Sequence, residues 1–272
     1  MFQYALGRKL AAKYSTSLRL DISGYRAGGG ITRREFSLSD FHINAEIIME
    51  EIGQTFYNKL RGKFDLLLPY YSRRVVSQIG FGFDENILKV RNDSFIHGYW
   101  QSEKYFADIG QLLRDEFTLK KPFQDRLAGL MRFIESSNSV SVHFRRGDYV
   151  LNEEVSNIHG YCDLNYYTSA IDMLRRKLGN IVLVIFSDDL EWVKNNFKSD
   201  LQVQFVASDG NPSEEICLMS LCNHNIIANS TFSWWGAWLN RNPEKIVIAP
   251  EKWFSTTARS AKDLVPDSWI RI

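Results

Sequence analysis

The sequence predicts an α/β fold on a mostly parallel sheet with helices over both faces, and three observations within residues 138–249 predict it. Apolar runs of strand length recur there, and helical periodicity follows each of them. The longest run, Ile181-Val-Leu-Val-Ile-Phe186, has no polar position, as a strand buried on both sides requires.

In chain order, Ser139-Val-Ser-Val-His-Phe-Arg145 alternates polar and apolar side chains and reads as a strand. Tyr166, Ala170, Leu174 and Leu178 recur every four residues and read as a helix, and the apolar strand 181–186 follows. The alternation then continues: helix 189–196, strand 203–206, helix 213–223, strand 225–228, helix 231–240 and strand 245–249. Sheets of this kind take ligands at the carboxyl ends of their strands, where loops and helix N-termini meet.

Residues 1–130 are expected to form a separate, helix-rich lobe, with the α/β lobe at 138–272. Phe2, Leu6 and Leu10 predict a helix starting almost at residue 1, and the stretches 45–60 and 103–117 each fit a helix. Gly28-Gly-Gly30, among Arg26, Arg33 and Arg34, reads as a surface loop, and Pro69 holds Leu68 extended at an element boundary.

A chain of 272 residues buries enough surface to hold a cleft. With 33 Lys plus Arg against 32 Asp plus Glu, net charge selects for neither nucleic acid nor an anionic membrane, so any bound anion must meet a local cluster. The absence of an apolar run of membrane-spanning length predicts no transmembrane segment, and the amphipathic opening lacks the pattern of a signal peptide. Cys162, Cys217 and Cys222 are too few for a disulfide framework and read as buried, reduced thiols. No metal site is expected. The five histidines lack zinc-type spacing, and Ser187-Asp-Asp189 is not the aspartate pattern that holds a divalent ion on a diphosphate.

The densest polar cluster is His143-Phe-Arg-Arg-Gly-Asp-Tyr149. It follows the alternating strand, which sends His143 and Arg145 to one face and Val142 and Phe144 to the other. Arg145 and Arg146 suit a diphosphate, because a guanidinium stays charged and offers parallel hydrogen bonds to phosphoryl oxygens. The competing reading is a local ion-pair turn of Arg145, Arg146 and Asp148. Asn229-Ser-Thr-Phe-Ser233 stands between a strand and a helix, so its hydroxyls and backbone N–H groups suit phosphate, while Ser230 or Thr231 equally fits ordinary capping above a tryptophan core. Ser187 and Asp188 close the apolar strand. Asp188 or Asp189 either accepts from a ribose or guanine or caps the next helix. Glu214 and Glu215 open a helix, where acidic side chains are expected on dipole grounds alone.

Four ordered stretches together resemble glycosyltransferase family 11, the alpha-1,2-fucosyltransferases: Met1-Phe-Gln-Tyr-Ala5, Gly98-Tyr-Trp-Gln-Ser-Glu-Lys-Tyr-Phe106, His143-Phe-Arg-Arg-Gly-Asp-Tyr-Val150, and Leu218 through Leu239. The resemblance implies two Rossmann-like lobes with a cleft between them, of the glycosyltransferase-B type. It also implies GDP-fucose as donor, a galactose-containing glycan as acceptor, inversion, and no cofactor or metal. Residue by residue it implies that Arg145 and Arg146 contact the diphosphate, that His143 helps hold the nucleoside, and that Glu215 stands where relatives commonly have an aspartate on the guanine. Donor contacts are further expected from Ser187, Asp188, Asn229, Ser230, Thr231 and Ser233. Family members usually carry a short strand and a glycine-rich loop before Met-Phe-Gln-Tyr. The first lobe is therefore expected to lack its N-terminal strand, and a protein starting at Met1 to be poorly active and less stable.

In the expected reaction Arg145 stabilises the leaving GDP, and the base is Asp148 or Glu153. The expected location is the cytoplasm, with peripheral attachment to the inner face of a bacterial membrane as the variant of it. A transferase of another nucleotide sugar and a noncatalytic GDP-sugar or glycan-binding module are the alternatives.

Overall fold

A computed structural model describes the chain except for residues 26–35, 50–66, 124, 148–159, 208–210 and 256–260. It forms two compact units: Met1–Phe117 with Arg259–Pro266, and Thr118–Ala258 with Asp267–Ile272.

In the first unit, helix α1 (Phe2–Tyr14) begins where the apolar period placed it and buries Phe2, Tyr4, Leu6 and Leu10. The Tyr4 hydroxyl donates to Glu116 and accepts from the Asn44 amide at 2.9 Å, while Arg8 Nε lies 2.8 Å from Glu116 Oε1. These bonds tie α1 to α2 (Gly110–Glu116). Edge-to-face contacts of Phe117 with Tyr4 and with Phe41 fill the space beneath. Each such buried aromatic contributes about 1.5–3 kcal/mol.

Two short parallel pairs complete this unit, β1 (Arg19–Asp21) with β2 (Glu46–Ile48) and β3 (Val75–Ser77) with β4 (Phe95–His97). The helix expected at 45–60 is thus corrected at its start. Glu46-Ile-Ile48 carries two β-branched residues and pairs with Arg19-Leu-Asp21, while most of the remaining stretch lies outside the described residues. The helix expected at 103–117 is a true α-helix only over Gly110–Glu116, preceded by 3₁₀ turns at Glu103–Tyr105 and Ala107–Ile109. Ser102 Oγ accepts from the Lys104 amide and starts the first of those turns.

In the second unit, α3 (Ala128–Glu135) leads into β5 (Ser139–Phe144). Then follow α4 (Leu164–Leu178), β6 (Val182–Ser187), α5 (Leu190–Asn196), β7 (Val203–Phe205), α6 (Pro212–Leu221), β8 (His224–Ile226), α7 (Thr231–Leu239), β9 (Val247–Ala249) and β10 (Ile270–Arg271). The six strands run parallel in the order β10-β9-β8-β5-β6-β7. Helix and strand periodicity predicts every one of these strands except β10, whose two residues are too short to leave a pattern.

Both faces of the sheet are covered. Val140, Val142, Phe144, Leu183 and Ile185 pack with Tyr167, Ala170, Ile171 and Leu174 of α4. Val184 and Phe186 pack with Leu218 and Met219 of α6. The polar alternates of β5 are buried as well, and each needs a partner. Asn225 Nδ2 donates to Ser141 Oγ at 2.7 Å and to the Met219 carbonyl at 2.9 Å, and Asn225 Oδ1 accepts from Asn240 Nδ2 at 2.8 Å. This network joins β5 to β8. Among the described residues no helix is long and apolar enough to cross a membrane.

Candidate active site

From β5 the chain steps to β6 and β7 on one side, then returns to β8 on the other side of β5 and continues to β9 and β10. The strand order therefore reverses between β5 and β8, and in open parallel sheets the crevice at the carboxyl ends of such a strand pair receives the ligand. The sequence delivers its two polar clusters to this place. β5 ends at Phe144 and is followed by Arg145 and Arg146, while β8 runs through 227–229 into the N-terminus of α7.

Arg145 Nη1 lies 2.9 Å from Asp188 Oδ2, and the Arg146 amide donates to Asp188 Oδ1 at 2.9 Å. One carboxylate at the end of β6 thus holds the side chain of one arginine and the backbone of the next. Gly147 completes the turn because a Cβ there would stand 2.5 Å from Asp188 Oδ2. The Arg146 guanidinium lies 3.4 Å above the Trp192 ring, with Nε 3.5 Å from Asp189 Oδ2 and, among the described residues, no hydrogen bond on that nitrogen. Asp189 Oδ1 also caps α5, accepting from the Trp192 amide at 3.1 Å, and Ser187 Oγ accepts from the Asp189 amide at 3.0 Å. Of the two aspartates, Asp189 meets the capping reading, and Asp188 braces the arginine turn.

His143 is buried beside this turn, its ring 5.6 Å from that of Phe232. Burial first, and then the neighbouring Arg145 charge, push its pKa down to about 3, so the ring is neutral at ordinary pH. Among the described residues its buried Nδ1 has no hydrogen-bond partner. The Tyr167 hydroxyl donates to the His143 carbonyl at 3.0 Å and pins the strand end.

On the β8 side, Ser230 Oγ accepts from the Phe232 amide at 3.3 Å and caps α7. Ser233 Oγ donates to the Ser230 carbonyl at 3.3 Å, and Thr231, the first residue of the helix, is partly exposed. Trp234, Trp235 and Trp238 are buried against one another, with Trp269 on Trp234. Asn229 Nδ2 donates to the Trp253 carbonyl at 3.2 Å and the Gly160 carbonyl at 3.4 Å, which tethers two loops to the end of β8.

The model of Glycosyl transferase family 11 matches residues 82–272, a span that contains both clusters. An alpha-1,2-colitosyltransferase of Escherichia coli is 37% identical over 287 aligned residues, covering 100% of this chain and 94% of that protein. The chain belongs to glycosyl transferase family 11. Another relative, the O-antigen biosynthesis glycosyltransferase WbnK of Escherichia coli, is 31% identical over 100% of this chain and 96% of its own length. The galactoside 2-alpha-L-fucosyltransferase SEC1 of Bos taurus is 31% identical across 52% of this chain and 41% of that one.

In this family 11 protein, His143, Arg145, Arg146, Ser187 and Asp188 meet at the ends of β5 and β6, and Asn229, Ser230, Thr231 and Ser233 follow β8. Glu215 lies half-buried in the first turn of α6, whose N-terminus Asn211 caps through bonds from the Ser213 and Glu214 amides. Asp148 and Glu153 lie outside the described residues. Sequence reasoning missed Trp192 under Arg146, Tyr167 behind His143, and the bracing role of Asp188. Each contact crosses between elements, and only strand register reveals it. Among the described residues no group of three or more His, Cys, Asp or Glu side chains is placed to hold a metal ion. Burial pushes all three cysteine thiols up to about 12, so they stay protonated.

Proposed function

We propose that this protein transfers L-fucose from GDP-fucose to the 2-hydroxyl of a terminal galactose, with inversion and without a metal ion. One observation carries the reading: two arginines, held by Asp188 and Trp192, stand at the carboxyl end of β5 where the strand order reverses, beside the capped N-terminus of α7. The second unit takes the donor, with Arg145 and Arg146 on the diphosphate and Ser230, Thr231 and the α7 N-terminus completing the anion site. Neutral His143 and half-buried Glu215 serve the nucleoside end. The first unit takes the acceptor.

In the transfer, the bond from the fucose anomeric carbon to the diphosphate breaks as the acceptor O2 bonds to that carbon from the opposite face. The guanidinium pair takes up the charge that GDP gains, and removal of one such preorganised donor typically costs about 10²–10³ in rate. The proton of the 2-hydroxyl passes to a carboxylate, Asp148 or Glu153, and rate measurements on Asp148→Asn and Glu153→Gln at saturating donor identify which. The protein works in the cytoplasm or at the inner face of the membrane, where nucleotide sugars are made.

A second reading has one specific observation in its favour, the 37% identical relative named for colitosyl rather than fucosyl transfer. Incubating the protein with GDP-fucose or GDP-colitose and a panel of β-galactosides, with and without a chelator, tests both. We expect a 1,2-linked α-fucosyl product whose yield the chelator leaves unchanged. A product only from GDP-colitose favours the second reading, and failure with both donors defeats the two together.

A further inference from the structure

Between β8 and α7 the chain turns at Asn229, a residue only 2% exposed and engaged within the second unit. Its Nδ2 donates to the Trp253 carbonyl at 3.2 Å and the Gly160 carbonyl at 3.4 Å, and its Oδ1 accepts from the Cys162 thiol at 3.7 Å. Those partners fix the orientation of the amide, since a carbonyl only accepts and a protonated thiol donates. Burial keeps Cys162 protonated at ordinary pH, its pKa pushed up to about 12. Every polar atom of the Asn229 side chain is thus occupied by the protein. The donor contact expected from the sequence would have to break one of these bonds.

The Cys162 sulfur also makes hydrogen bonds with the Asn229 backbone and the Tyr167 side chain. The Tyr167 hydroxyl in turn donates to the carbonyl of His143, in the last turn of β5 before the arginines, at 3.0 Å. A continuous chain of polar contacts therefore runs from the end of β8 through Cys162 and Tyr167 to the end of β5, across the place where the strand order reverses. Beside it the Tyr166 hydroxyl donates to the Ile227 carbonyl at 2.6 Å and lies 3.3 Å from the Ile248 carbonyl, which adds β9 to the same fastening. An apolar side chain at 229 would fill the space equally well. What the amide adds is a set of bonds shared by segments that are distant in sequence, at 160–162, at 253 and at the end of β8.

The two halves of the proposed anion site lie at the two ends of this chain of contacts. Arg145 and Arg146 follow His143 closely, and Ser230, the cap of α7, directly follows Asn229, its amide bonded to the Ala228 carbonyl at 2.7 Å. In so short a turn a shift of Asn229 carries the α7 N-terminus with it. The attraction of a helix terminus for an anion falls off within one turn, so the hold on a phosphoryl group depends on that spacing.

Resting on the donor site proposed above, we propose that Asn229 and Cys162 form a clasp that sets the distance between its two halves, the arginine turn after β5 and the α7 N-terminus after β8. Both are positioning residues, and neither touches the donor.

Titration calorimetry of GDP into Asn229→Ala, Cys162→Ala, Cys162→Ser and the double alanine variant tests this, with folding of each checked by circular dichroism. GDP affinity is expected to fall about tenfold in each single alanine variant and no further in the double variant than in Asn229→Ala, because both changes open one clasp. Cys162→Ser, which keeps a hydrogen-bond donor, should bind more tightly than Cys162→Ala. Should Asn229→Ala fail to fold, the affinity of Cys162→Ala decides alone. A second readout needs no nucleotide: maleimide labelling of Cys162, followed by peptide mass spectrometry, should be about tenfold faster in Asn229→Ala than in the wild type. Wild-type GDP affinity in Cys162→Ala, whether or not Asn229→Ala loses it, overturns the clasp, as do additive losses or an unchanged labelling rate. Faster labelling in Asn229→Ala together with a wild type that binds no GDP leaves the clasp standing and defeats the proposed donor site instead.

Discussion

At the end of β5 two opposite charges, Arg145 and Asp188, lie 2.9 Å apart with 22% and 25% of their side chains exposed. A pair this open to water adds only about 0–1 kcal/mol to stability. Its consequence is positional, because the same carboxylate holds the Arg146 amide and packs on Gly147. We therefore expect Asp188→Asn to shift the melting temperature little and to lower the transfer rate about tenfold at saturating donor, since amide geometry is kept but the charge that orients Arg145 is lost. A large loss of stability with the rate per folded molecule unchanged contradicts the bracing role. His143 gives a pH signature. Folded, it resists protonation down to about pH 3 because burial, and then Arg145, oppose its charge, whereas unfolded it takes a proton near 6.5. Between those values the unfolded chain binds more protons. Stability is therefore complete above pH 6.5 and falls as pH drops, by up to about 1.4 kcal/mol per pH unit for this one group. His224, lowered mainly by burial and then by Lys177, acts in the same direction, so the comparison must be made against His143→Gln. Urea midpoints at pH 7.5, 6.0 and 5.0 should fall more steeply in the wild type than in that variant, and equal slopes contradict the assignment.

Among elements, α6 and α7 lock together at Gly236, where a Cβ would stand 2.7 Å from Met219 Cβ. Gly236→Ala should therefore destabilise by about 1–3 kcal/mol through overpacking, despite the better helix propensity of alanine, and chemical denaturation showing a more stable variant contradicts this. The second unit was legible in the sequence because its elements are long and regular: an apolar run such as 181–186 or a four-residue period such as Tyr166 to Leu178 announces itself without tertiary context. The first unit was legible at α1 and, in part, at α2. Its strands are three residues long, and its remaining helical segments begin as 3₁₀ turns set by Ser102 and by local packing, which leave no period to read. The candidate site was legible as to which residues assemble, since strand ends in a parallel sheet converge. It was not legible as to which acid braces and which caps, because Asp188 and Asp189 differ only in what the register of β5 and β6 places opposite them.

For the whole molecule, a net charge of +1 supplies no general attraction for an anion, so binding of a diphosphate must come from the local arrangement. That arrangement, too, is nearly neutral by formal charge, with Arg145 and Arg146 set against Asp188 and Asp189. In the proposed reading, selectivity for a diphosphate over a simple anion rests on geometry: two forks fixed by a carboxylate and an indole, and a helix N-terminus at the adjacent strand end. Family membership says what class of chemistry such a site serves, and the topology says why it lies between β5 and β8. The most direct test is calorimetric titration of GDP into the wild type and Arg145→Ala, each with and without a chelator. We expect binding by the wild type that the chelator does not alter, weakened about 10- to 100-fold in Arg145→Ala. Undiminished GDP binding by Arg145→Ala, or wild-type binding abolished by the chelator, contradicts the assignment of the arginine pair to the diphosphate.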